Sequence, residues 1–152
     1  MILLLCLLAA TGPAAAEDTY TLTLVFQRMH CDECKREAES AVKRLPGFMG
    51  VTFTDTSAIV QIGVKSPVPA IHGLPKDMGF KSCQLAIQGT VSMLGDKATL
   101  VAKGSGATLT LAGDKVADLK KKLGGKNRFQ VTGTLQGKSL ALESFQPAEW
   151  KD

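Results

Sequence analysis

The chain predicts an α+β fold in two consecutive parts, the first ordered β-α-β-β-α-β and the second β-β-β-α-β-β. Three observations carry this expectation. Short runs alternate apolar with polar residues and are rich in Thr, Val and Ile, helical apolar spacing occurs in both parts, and Gly or Pro punctuates the joins. After residue 84 the texture changes, because neither cysteine nor histidine occurs again.

The first sixteen residues, MILLLCLLAATGPAAA, precede the folded part and read as a secretory signal peptide (1–16), with Ala14-Ala15-Ala16 as a small-residue cleavage site. The run is too short to span a bilayer. No Lys or Arg precedes its apolar core, which leaves a start further upstream open. Removing it leaves about 136 residues, enough for two small domains or one medium one. These carry 18 basic against 14 acidic residues. A net +4, scattered along the chain, supports solubility and gives no argument for nucleic acid.

Residues 19–27, TYTLTLVFQ, read as the first strand. Over 34–45 the apolar positions Ala38, Ala41, Val42 and Leu45 fall at helical spacing, with Lys35, Arg36, Glu39, Lys43 and Arg44 on the other face, and Pro46-Gly47 stops the helix. Strands over 50–54 and 57–64 flank an Asp55-Thr56 turn short enough for a hairpin. Residues 66–78 could hold a second helix, shortened or broken by Pro69, Gly73 and Pro75. A further strand begins at Phe80. This order is the split βαβ, or ferredoxin-like, arrangement, in which two helices cover one face of an antiparallel sheet.

Strands then follow over 84–94, 97–103 and 106–112, a helix over 114–123 ended by Gly124-Gly125, and strands over 129–136 and 139–145. Short strands at this spacing suggest a small barrel, and three strands, a helix and two strands is the element order of an OB-type barrel. We therefore divide the mature chain into 17–86, ferredoxin-like, and 87–152, an OB-like β-barrel. No Gly/Ser or Pro linker separates the two, and the strand over 80–94 could serve both, so they are expected to pack together. Lys120-Lys121-Lys122 reads as a solvated face near a helix C-terminus, where cations are favoured.

The chemistry concentrates in Met29-His30-Cys31-Asp32-Glu33-Cys34. Two thiols three apart, where a strand gives way to a helix, can converge on one ion, and a helix N-terminus favours the thiolate that serves as metal ligand and nucleophile alike. Redox sites and structural zinc sites share this spacing. Two carboxylates between the thiols count against redox work, because they disfavour the thiolate. They harm metal binding less, since the cation itself displaces the protons. His30 could add a nitrogen ligand, and Met29 a thioether, although Met29 is better read as a core plug. Cys83, on the strand beyond Phe80, is expected to be a buried, inert thiol, and His72 a solvated or locally bonded residue. Phe129, Phe145 and Trp150 are too few for a stacking platform for single-stranded nucleic acid and read as core or edge packing.

With these residues in view, 19–86 resembles the heavy-metal-associated domain family of copper chaperones and periplasmic mercuric-ion binding proteins. The resemblance rests on Met-x-Cys-x-x-Cys at Met29, Cys31 and Cys34, the strand pair GVTFTDTSAIVQIGV, and Asp77-Met78-Gly79-Phe80 opening the last strand. It implies that Cys31 and Cys34 bind the metal, that Met29 tucks into the core, and that the segment from Lys76 to Phe80 lies beside the site. Arg28 stands where the family usually carries Gly. The second part looks like an OB-fold by element order alone.

The sequence thus predicts a non-enzymatic, periplasmic or secreted carrier, not membrane-spanning once the signal is removed. It would pass one soft ion between Cys31 and Cys34 and a membrane metal transporter or another carrier protein. Two thiolates suit Cu(I) or Hg(II), which accept near-linear coordination, better than Zn(II), which generally takes four ligands. The alternative is a periplasmic thiol-disulfide redox protein using the same two cysteines.

Overall fold

In the computed structural model, residues 19–26, 31–66 and 80–150 are described. The chain is mixed α+β and mostly strand, with eight strands and two helices among these residues. In chain order they are β1 (Thr19–Phe26), α1 (Asp32–Val42), β2 (Phe48–Phe53), β3 (Ser57–Gly63), β4 (Phe80–Leu94), β5 (Lys97–Ala102), β6 (Thr108–Ala112), α2 (Lys115–Lys122), β7 (Arg128–Gln136) and β8 (Ser139–Pro147). The signal-like segment, residues 27–30 and nearly all of the expected second helix at 66–78 lie outside the described residues.

The sheet order is β2-β3-β1-β4-β5-β6-β8-β7, and β7 returns to pair with β4. The last five strands therefore close a barrel, while β2, β3 and β1 extend from one edge of it. All pairings are antiparallel except β6 with β8.

β4 makes the join. One of its edges carries β1 over residues 80–86 and then β5 over 89–94, while the other carries β7 over 84–90. From Ser82 to Ser92 it keeps the two-residue burial period, with Cys83, Leu85, Ile87 and Val91 inward. Leu24 lies opposite Cys83 and Leu22 opposite Leu85, so the inward face of β1 continues that of β4. The result is one contiguous apolar core running from Val42 of α1 to Leu140 of β8. A side chain at Gly89 would meet the carbonyl oxygen of Val101 and lie 2.8 Å from Leu100 Cδ1, so glycine permits the close approach of β5.

Most element bounds differ from the sequence expectation by one or two residues, and at α1 and β2 the cause is visible. α1 starts at Asp32 because Cys31 is its N-cap, and it ends at Val42 although the apolar spacing continues to Leu45. Leu45 is still buried, carried inward by a tight turn in which its N–H donates to the Val42 carbonyl at 3.1 Å. β2 starts at Phe48 because Phe48 pairs with Ile62 and Gly50 with Gln61, leaving Met49 as a bulge. At the hairpin, Thr54 N–H donates to Ser57 O (2.8 Å) and Ser57 N–H to Thr54 Oγ1 (3.0 Å), which explains why so short a turn suffices.

Candidate metal clamp

β1 delivers the chain to the site. Its last residue, Phe26, donates its N–H to Thr56 O at 3.0 Å and lies opposite Phe80, so the start of β4 and the β2–β3 turn both abut the strand end that leads to Cys31. α1 is anchored from below by Ala38 and Val42 and exposes its first turn.

Cys31 is extended (φ −121°, ψ 146°) and takes the N-cap role usually filled by Ser, Thr, Asp or Asn. Its Sγ accepts the Cys34 N–H at 3.1 Å, and its carbonyl accepts the Lys35 N–H at 3.3 Å. The two sulfurs meet: Cys31 and Cys34 form a disulfide, with Cα atoms 5.3 Å apart, inside the usual range for such bridges. Both cysteines and the intervening Asp32 and Glu33 are exposed. Those carboxylates sit in the first turn, where negative charge is favoured by the helix macrodipole.

The third thiol is separate from this site. Cys83 is free and 1% exposed, and burial pushes its thiol from an ordinary value near 9 up to about 12. It is the buried, inert residue the sequence suggests, since the neutral thiol is a poor nucleophile and ligand. Cys31 and Cys34 are thus brought together, and Cys83 is kept away from solvent. Met29, His30 and the Lys76 to Gly79 segment lie outside the described residues, as does His72. Among the described residues, no group of three or more His, Cys, Asp or Glu side chains gathers, so the donors found there are the two sulfurs.

Two features escape a sequence reading. The Tyr20 hydroxyl is buried without a hydrogen-bond partner among the described residues, and burial raises its pKa strongly. Two cations lie over the Trp150 ring, Lys103 Nζ at 5.4 Å and the Arg128 guanidinium carbon at 5.0 Å from its centroid, and Arg128 also donates to the Trp150 carbonyl at 2.6 Å. The sequence expectation for Trp150 is core or edge packing. The residues that hold it are 47 and 22 positions away in the chain, beyond the reach of any local pattern. Phe129 is fully buried and meets Phe145 edge to face at 6.1 Å.

Among the described residues no helix is long and apolar enough to cross a membrane. No family model, curated protein or solved structure matches this chain.

Proposed function

We propose that the chain is an exported carrier of one soft metal ion, foremost Cu(I), with Hg(II) and Zn(II) as the other cargoes its donors could take. The ion is held between Cys31 and Cys34 and passed to or from a membrane metal transporter or another carrier protein. One observation carries the reading: two exposed sulfurs converge at the N-terminus of α1, a helix backed by the core through Ala38 and Val42. Such a pair offers two thiolates and room for a third from a partner. Transfer then proceeds by a partner thiolate adding to the bound ion before Cys31 or Cys34 leaves, with no covalent change to a substrate and hence no enzymatic step. The exposed Asp32-Glu33 pair keeps the first turn of α1 in water, where a partner can reach it.

The topology supports the finer fold reading. The antiparallel order β2-β3-β1-β4, with α1 between β1 and β2, is that of a ferredoxin-like unit over 17–86, consistent with the resemblance to heavy-metal-associated domains. The closed order β4-β5-β6-β8-β7, with a helix between its third and fourth strands, is that of an OB-like unit over 87–152. On this reading the two units share β4, which runs unbroken across residue 86.

Anaerobic titration of the reduced chain with Cu(I), Zn(II) and Hg(II) tests the proposal. One Cu(I) should bind per chain and be lost when Cys31→Ser and Cys34→Ser are combined. Stoichiometric binding that survives both changes removes the clamp from the account.

The disulfide itself favours a second reading, a thiol-disulfide redox protein in the periplasm or outside the cell. It predicts catalytic turnover of a protein disulfide such as those of insulin. Asp32 and Glu33 weigh against it, because they disfavour the thiolate and blunt its attack on a substrate disulfide.

A further inference from the structure

We infer that the clamp is gated by oxidation and opens with a fixed polarity: a reducing thiolate attacks Cys34 Sγ, Cys31 leaves, and only the opened pair can take up an ion. A dithiol reductant must therefore act on this chain before loading. The loading half rests on the carrier reading; the polarity does not.

Three observations lead here. First, the disulfide joins the two exposed thiols, and a disulfide sulfur lacks the charge that makes a thiolate a metal ligand. Second, the chain's remaining described thiol cannot open the bridge from within. Cys83 is buried on β4 opposite Leu24 of β1, its face turned to the core. Among the described residues no thiol can supply the electrons, and another molecule is their source on this inference. Third, the bridge is asymmetric. The Cys34 N–H points at Cys31 Sγ at 3.1 Å, at the N-terminus of an 11-residue helix, so charge that develops on Cys31 as the bond breaks is met by a hydrogen bond and by the helix dipole. Cys34 Sγ has no such donor among the described residues. In thiol-disulfide exchange the better-stabilised sulfur is the faster leaving group, which directs attack to the other one.

The steps balance. The thiolate of the reductant adds to Cys34 Sγ, the Cys31–Cys34 bond breaks, and Cys31 departs with the electron pair as a thiolate. The second thiol of the reductant, losing its proton, then attacks its own sulfur in the mixed disulfide and releases Cys34 as a thiolate. The reductant ends as a disulfide, and the chain gains two electrons, which stay on the two sulfurs, and two protons; an incoming ion displaces the protons alone.

The experiment uses the oxidised full chain. Brief reaction with glutathione, quenched by acidic N-ethylmaleimide and cleaved after Glu33, shows which cysteine carries which label. Glutathione on Cys34 and maleimide on Cys31 in a ratio of at least about ten to one is expected; equal or reversed labelling overturns the polarity. In parallel, Cu(I) supplied as its acetonitrile complex is offered to oxidised and dithiothreitol-reduced chain, followed by desalting and mass measurement. Retention of one ion by the reduced form alone supports the gate. Retention by both forms with the disulfide intact overturns the gate while leaving a metal carrier, and retention by neither overturns the carrier reading and the gate with it.

Discussion

At the scale of single residues, the three cysteines among the described residues have the same chemistry and are set apart by position alone. Cys31 and Cys34 sit where a helix begins in water, whereas Cys83 faces the core between β1 and β7. This has a consequence for stability at high pH. The folded state holds the Cys83 proton to about pH 12 and the Tyr20 proton well above its ordinary range, while the unfolded chain releases them near pH 9 and 10. Folded chains then bind more protons than unfolded ones, so stability is complete below pH 9 and falls as pH rises above it, by up to about 1.4 kcal/mol per pH unit for each group. Urea midpoints measured from pH 8 to 11 should show this decline, and Cys83→Ala combined with Tyr20→Phe should flatten it. Burial of Cys83 was legible because it falls on the inward phase of an alternating strand. The cap made by Cys31 was not, because it depends on backbone angles that no spacing encodes, and neither was the stacking of Trp150 on residues from β7 and the β5–β6 turn.

Elements were legible wherever periodicity and punctuation agreed. The alternation of TYTLTLVF and SAIVQIG made β1 and β3 readable, and Pro46-Gly47 placed the stop after α1. The errors lie at ends: capping pulled the start of α1 back to Asp32, a tight turn replaced its last helical residues, and a bulge let β2 begin early. β4 depends on glycine where it passes from β1 to β5. Gly89→Ala should lower stability by about 1 to 3 kcal/mol through overlap with Val101 and Leu100, which chemical denaturation would measure. Gly104, with φ +83° and its missing side chain directed 2.6 Å from Val64 Cγ2, should respond similarly, since it packs the turn after β5 against the end of β3.

For the molecule as a whole, the shared strand makes the open sheet and the barrel mutually dependent. The absence of any linker in the sequence allowed β4 to be read as common to both, but barrel closure by β4–β7 and the parallel β6–β8 contact join residues too far apart for local patterns to show. One contiguous core predicts one cooperative transition. Trp150 fluorescence, which reports the barrel, and exposure of Cys83 to a thiol reagent, which reports the sheet around β1, should therefore share a urea midpoint. Two separated midpoints would mean that the halves unfold independently.

On the proposed function Cys31 and Cys34 are the donors to one ion, and X-ray absorption of the reduced, Cu(I)-loaded chain tests this at the metal itself. A copper first shell made of sulfur, and lost together with bound copper in the Cys31→Ser, Cys34→Ser variant, is the predicted result. A shell without sulfur, or one that persists in that variant, would contradict it.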